Sequence, residues 1–256
     1  MTQVSPQIQL HNLSSSDGSA SYISPCSLQR IIAGVNYPLE VSYRSKEVPD
    51  DTYIEVNLRP HNAVAGVKEH HVEEVVRRVL KSMIRGEETP RTMLQCTLQV
   101  MEVENDESLP GGVKGGGQGE SYLEMLCGGL NAAILGCLDA GVQMRTVAGA
   151  VLVAVSKSRE TNIWPSLKER KMAKSLHVFA YGRNAEMLLC ESEGEFIMDE
   201  WERAAMLAKR AVLGTDDAGQ DGDVEMAGED DGRCLMSEIR DAVQARVVRD
   251  GMGGDQ

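Results

Sequence analysis

Arg59, Lys68, His70 and His71 place a guanidinium, an ammonium and two imidazoles in one short stretch of this 256-residue chain, with His61 between them. Groups of this kind can form a small basic surface that touches phosphates. The competing reading is the ordinary solvated chemistry of a helix start. Adjacent side chains on a helix point about 100° apart, so His70 and His71 do not share one metal ion. No HExxH motif or Cys/His cluster offers another metal site, and neither a metal nor a cofactor is expected. His177, between Leu176 and Val178 in a strand pattern, reads as a packed or surface imidazole rather than a general base, and no GxSxG motif marks a nucleophile. Lys114 stands in the glycine-rich run Gly111 to Gly119, yet no Ser or Thr follows it and no helix begins there, so it is not a phosphate loop.

The elements that must position these groups follow from periodicity. Segments Gln7 to Leu13, Ala20 to Ser24, Leu28 to Tyr37 and Tyr53 to Leu58 are strand-like, split by turn clusters, and predict an antiparallel meander. Val67 to Arg85 carries an apolar stripe of Val72, Val75, Val76, Val79, Leu80 and Met83, which predicts a helix covering a sheet. Thr92 to Glu104 is a strand whose alternation is too loose for an exposed edge. From Ser121, small residues (Gly128, Gly129, Ala132, Ala133, Gly136) recur beside Leu126, Leu130, Ile134 and Leu138, as in a helix whose backbone lies close to its neighbours. Asp139-Ala140-Gly141 ends that helix, and Thr146 to Ser156, apolar on both faces, predicts a fully covered strand. Lys174 to Tyr181 and Glu186 to Glu191 are two further strands. Asp199 is read as the N-cap of a helix ending at Gly214, and Cys234 to Arg249 regains helical character. Residues 1–214 are thus one domain with a flexible loop at 105–119, followed by an acidic linker at 215–232 and a C-terminal helix with a frayed tail at 233–256.

Composition limits the function. Hydrophobic residues make up 42% of the chain, enough for a substantial core. The formal net charge is −13, but eight of the carboxylates crowd between Thr215 and Asp231, so the remainder carries only −5. A mildly acidic fold is not an autonomous nucleic-acid binder, and any RNA contact must be a local patch or be shared with partners. Six cysteines without CxxC spacing sit largely in apolar patterns, which favours a reducing compartment. The first residues show no signal sequence, and the longest apolar run is too short to span a bilayer, so a cytosolic or nuclear protein without membrane contact is expected.

The order of the motifs resembles that of the RNase PH family, which includes phosphate-dependent 3′-to-5′ exoribonucleases and the ring subunits of the eukaryotic RNA exosome. Asp17-Gly18-Ser19-Ala20 is followed by Leu58-Arg59-Pro60, the helix from Lys68, Pro90-Arg91-Thr92 leading into a strand, the Asn131-Ala132-Ala133 helix and Asp139-Ala140-Gly141. The resemblance implies an α+β, RNase PH-like (ribosomal protein S5 domain 2-like) fold with a duplicated β-α layout, mixed sheets packed with helices. It places Lys68 where active members put a basic residue on RNA. It implies partners as well: other RNase PH-type subunits in a hetero-hexameric ring, RNA-binding cap subunits, a separate hydrolytic nuclease, and single-stranded RNA in the channel. Such complexes occupy the nucleus, nucleolus and cytoplasm.

The family's enzymes hold the attacking phosphate with a Gly-Thr-Arg triplet at the mouth of the central helix, and use a pair of acids after the next strand. Alignment on Asp139-Ala140-Gly141 puts Glu124-Met125-Leu126 at the triplet and Trp164 and Lys171 at the acids. Glu160 and Glu169, the carboxylates nearby, read as solvated surface charges. A structural subunit without catalytic residues is therefore expected. The rivals are an active phosphorolytic or metal-dependent exoribonuclease and an unrelated soluble interaction protein.

Overall fold

The computed structural model describes residues 5–25, 29–41, 43–61, 64–104, 121–214 and 234–253. The glycine loop at 105–119 and the acidic segment at 215–232 lie outside the described residues. Two mixed α and β halves follow one another. The first sheet contains β1 (Gln7–Leu10), β2 (Gly18–Ile23), β3 (Arg30–Glu40), β4 (Tyr53–Arg59) and β5 (Thr92–Glu102), in the order β1-β2-β3-β5-β4. The second contains β6 (Ala148–Val155), β7 (Thr161–Ile163), β8 (Ser175–Gly182) and β9 (Met187–Gly194), in the order β7-β6-β8-β9. Helices α1 (Val67–Met83), α2 (Leu123–Asp139), α3 (Leu167–Met172), α4 (Met198–Leu213) and α5 (Leu235–Gly253) complete the set.

The first three strands form the expected meander, but β4 is not its fourth member. β5 inserts between them, antiparallel to β3 and parallel to β4. Parallel neighbours cannot be joined by a hairpin, so the chain leaves β4, crosses over through α1 and returns as β5. Periodicity reports which face of a strand is buried and says nothing of its neighbour, which is why the expected meander runs one strand too far. The α1 stripe is buried as its spacing requires, from Val72 to Met83.

Helix α2 packs against β2 and β3 of the first sheet and β6 and β8 of the second. Every residue from Leu126 to Cys137 is buried. The small residues are there because the sheets come so close. A Cβ on Gly136 would stand 2.9 Å from Cγ2 of Val35, and one on Gly128 would stand 3.0 Å from Cδ1 of Ile31. Asn131 is the polar exception and is fully used: its Nδ2 donates to the Ala150 carbonyl at 2.9 Å and its Oδ1 accepts the Ala150 amide at 2.8 Å. Strand β7 pairs with β6 only from Val153 to Val155, so at Ala150 the Asn131 amide stands in for a neighbouring strand. All eight positions of β6 are buried, with Val212 of α4 and Leu235 of α5 closing over Gly149.

Two of the sequence motifs meet in space. The Ser19 amide donates to Oδ2 of Asp139 at 2.8 Å, and the Gly18 position lies so close to Ala140 that an added Cβ would fall 2.2 Å from its nitrogen. Gly141 has φ +68°, the left-handed conformation that lets the helix end there. The Asp139 side chain is 1% exposed and also receives Nε of Arg246, on α5, at 3.3 Å. The α4 helix differs from expectation at its start. Ile197, not Asp199, is the N-cap residue, because the buried Glu200 carboxylate accepts the Ile197 amide at 3.2 Å and is neutralised by Lys174 at 2.9 Å.

Two outcomes are expected. Asn131→Ala strands both backbone groups of Ala150 in the core and should lower stability by roughly 2–4 kcal/mol in urea denaturation. His177 is buried, held between the hydroxyls of Ser175 at 2.9 Å and Ser192 at 2.8 Å, and burial pushes its imidazole down to about 4. In the unfolded chain it titrates near ~6.5. Its contribution is complete above that value and fades as pH falls toward about 4, by about 2–3 kcal/mol, because only the unfolded chain gains the proton in that window. His177→Asn should flatten the stability profile over the same window.

Candidate functional site

All four candidate residues stand where β4 leaves the first sheet and α1 begins. Arg59 is the last residue of β4 and is exposed; Lys68 is in the first turn of α1 and partly exposed. Gly66 caps the helix, and the Glu69 carboxylate accepts its amide at 2.7 Å. Glu73 ties the strand end to the helix: one oxygen accepts the Leu58 amide at 2.7 Å, the other meets Nδ1 of His70 at 2.7 Å. His70 is thereby brought beside the residue preceding Arg59. His71 turns elsewhere, as its position on the helix requires, and packs edge-on against Tyr122 with ring centroids 5.0 Å apart. Carboxylates interleave with these bases, so the patch is mixed in charge: Glu74 binds Arg77 at 2.7 Å and Arg78 at 3.5 Å.

Tyr122 immediately precedes α2, and the opening of that helix has a feature sequence reasoning missed. Glu124, in its first turn, forms an ion pair with Nη1 of Arg170 from α3. Their side chains are 14% and 8% exposed. The second arm of Arg170 lies 3.7 Å from Oε2 of Glu104, which also accepts the Leu167 amide at 3.0 Å. Burial raises the Glu104 carboxyl above its ordinary range, and the Leu167 amide and Arg170 oppose that shift. One guanidinium thus serves two carboxylates in a poorly solvated place. Glu124 was legible as a carboxylate; its partner, in the short helix after β7, carries no local signal.

The positions aligned with the acids hold no acid. Trp164 packs partly buried with its amide donating to the Leu152 carbonyl at 3.0 Å, and Lys171 is exposed. Glu169 is exposed and caps α3, accepting the Ser166 amide at 2.8 Å, while the exposed Glu160 accepts the Ser158 hydroxyl at 3.1 Å. Both carboxylates act as surface groups. Among the described residues no group of three or more His, Cys, Asp or Glu side chains is placed to hold a metal ion, and no helix is long and apolar enough to cross a membrane.

No protein-family model matches the chain. In sequence it is similar to exosome complex component RRP46 of Saccharomyces cerevisiae, 28% identical over 204 residues that cover 77% of this chain and 85% of the yeast protein. It is likewise 28% identical to exosome complex component rrp46 of Schizosaccharomyces pombe over 139 residues, 54% of this chain and 53% of that one. In structure it is similar to rice Rrp46, with a TM-score of 0.65 at 20% identity over 80% of this chain and 87% of the rice protein. A subunit of the Archaeoglobus fulgidus exosome, solved with RNA bound to the active site, gives a TM-score of 0.58 at 12% identity, covering 81% of this chain and 85% of that one. The motif order, the two sheets about a buried central helix and these likenesses agree: the chain has an α+β fold like that of the exosome-core subunits and is similar in sequence to the Rrp46 components of exosomes.

Proposed function

We propose that this chain is a catalytically silent ring subunit of an RNA exosome core whose role is positional. It closes the ring, lines part of the RNA path and supports degradation by a separate hydrolytic nuclease. The observation that carries this reading is the Glu124–Arg170–Glu104 cluster at the opening of α2. Phosphorolysis needs a guanidinium and backbone donors free to fix an attacking phosphate. Here the turn presents carboxylates, and the guanidinium beside them is already engaged. An incoming phosphate meets like charge, and the acid positions hold an indole and an ammonium.

Arg59, Lys68, His70 and His71 are the proposed contacts for single-stranded RNA in the channel. Their partners on the chain leave exposed positions at a sheet edge, suited to sharing a polyanion with neighbouring subunits rather than gripping it alone. The proposed partners are other RNase PH-type subunits and RNA-binding cap proteins, in nucleus, nucleolus and cytoplasm.

A tagged copy expressed in its own cell type should co-purify with the other ring subunits in equal amounts. Recovery of the chain alone, or with unrelated proteins, would overturn the assignment. The isolated chain should leave single-stranded RNA intact with or without phosphate and with Mg2+ or Mn2+; phosphate-dependent shortening in a nuclease-free preparation would sink the silent reading. Arg170→Ala should cost about 1–3 kcal/mol of stability at neutral pH by leaving two partly buried carboxylates uncompensated. That deficit should shrink as pH falls, because the Glu104 carboxyl, already raised by burial, loses the guanidinium that opposes the rise.

A further inference from the structure

A groove of about 320 Å³ runs between β1 and the distal half of α5, lined by Ile8, Leu10, Ala242, Ala245, Arg246 and Arg249 among others. Its strand wall is an open edge. Among the described residues strand β1 is the outermost of its sheet and pairs only with β2. The His11 amide donates to the Ser19 carbonyl at 2.7 Å, so by antiparallel alternation Gln7 and Gln9 also bond toward β2, and the amides and carbonyls of Ile8 and Leu10 point outward. The helix wall is made shallow by two alanines. Arg246 is held by Asp139 and Asp250, whereas Arg249 is exposed and makes no ion pair or hydrogen bond among the described residues.

We propose that this groove takes an extended acidic segment of a partner polypeptide, which adds to β1 as a further strand and sets a carboxylate against Arg249. Each part of the groove answers one part of such a ligand. The outward backbone groups of Ile8 and Leu10 pair with a strand's main chain; the apolar stems of Ile8, Leu10, Ala242 and Ala245 receive alternate side chains; the Arg249 guanidinium complements the charge. A nucleic acid would use the arginines and leave the strand edge and the apolar floor unsatisfied. The site lies at the opposite edge of the sheet from β4 and Arg59, and the inference does not depend on the ring-subunit reading.

The test is fluorescence anisotropy of a labelled, end-blocked Glu-Val-Glu-Val-Glu-Val peptide titrated with the full chain at about 0.15 M salt. Saturable binding is expected, weakened at least about fivefold by Arg249→Glu. Ala245→Phe, which fills the groove and leaves its charge alone, should abolish it, as should N-methylation of alternate peptide amides, which removes strand pairing. Thermal melting of both variants should match that of the parent chain. Absence of saturable binding overturns the proposal, as does binding indifferent to Arg249→Glu, to Ala245→Phe or to N-methylation. Displacement of the peptide by an equal concentration of oligouridylate overturns it in favour of a nucleic-acid groove.

Discussion

A helix buried on every side can contain only what its neighbours leave room for, and α2 is that helix. Two sheets and α1 converge on it. Its backbone must approach β3 closely enough that Gly136 and Gly128 have no space for a side chain, and its one internal amide side chain must satisfy a backbone pair on β6. The rest of the architecture is arranged around that constraint. The Asp139 carboxylate at the end of the helix then gathers the N-terminal strands and α5, through Ser19 and Arg246.

The opposite end of the same helix carries charge of its own. Helix N-termini favour anions, and a phosphate site would be natural there. In this chain the anion is built in: Glu124 occupies the first turn, and Arg170 neutralises it. The fold therefore keeps the general electrostatic preference of a helix start and satisfies it internally. Breaking a buried pair of this kind is costly, whereas replacing both partners need not be, so the cluster constrains the pair more than either residue.

Much of the fold was legible because burial leaves a period in the sequence. The α1 stripe, the two-sided apolar run of β6 and the glycine stop at Gly141 all correspond to observed packing. The place of β5 between β3 and β4 was not, since strand order is a relation between distant segments. The site divides in the same way. Glu124 was visible at the start of the central helix by counting back from Asp139, but the salt bridge from α3 was not, because nothing near Arg170 in the sequence distinguishes it from Lys168 or Lys171. The cap of α4 escapes local reading for a related reason: the buried Glu200 that fixes Ile197 depends on Lys174 and Arg159, outside the helix.

The inserted position of β5 also orders events on the ribosome. Strands β1 to β3 are consecutive hairpins and can pair as they emerge, whereas the edge of β3 and the whole of β4 wait for a strand that arrives only after α1 has been made. Until Glu102 has left the exit tunnel the nascent sheet carries a vacant slot flanked by two unpaired edges. Non-local pairing of this kind is slow, and open edges are where chains capture one another. Newly made protein thus passes through a period of exposure that a meander would have avoided.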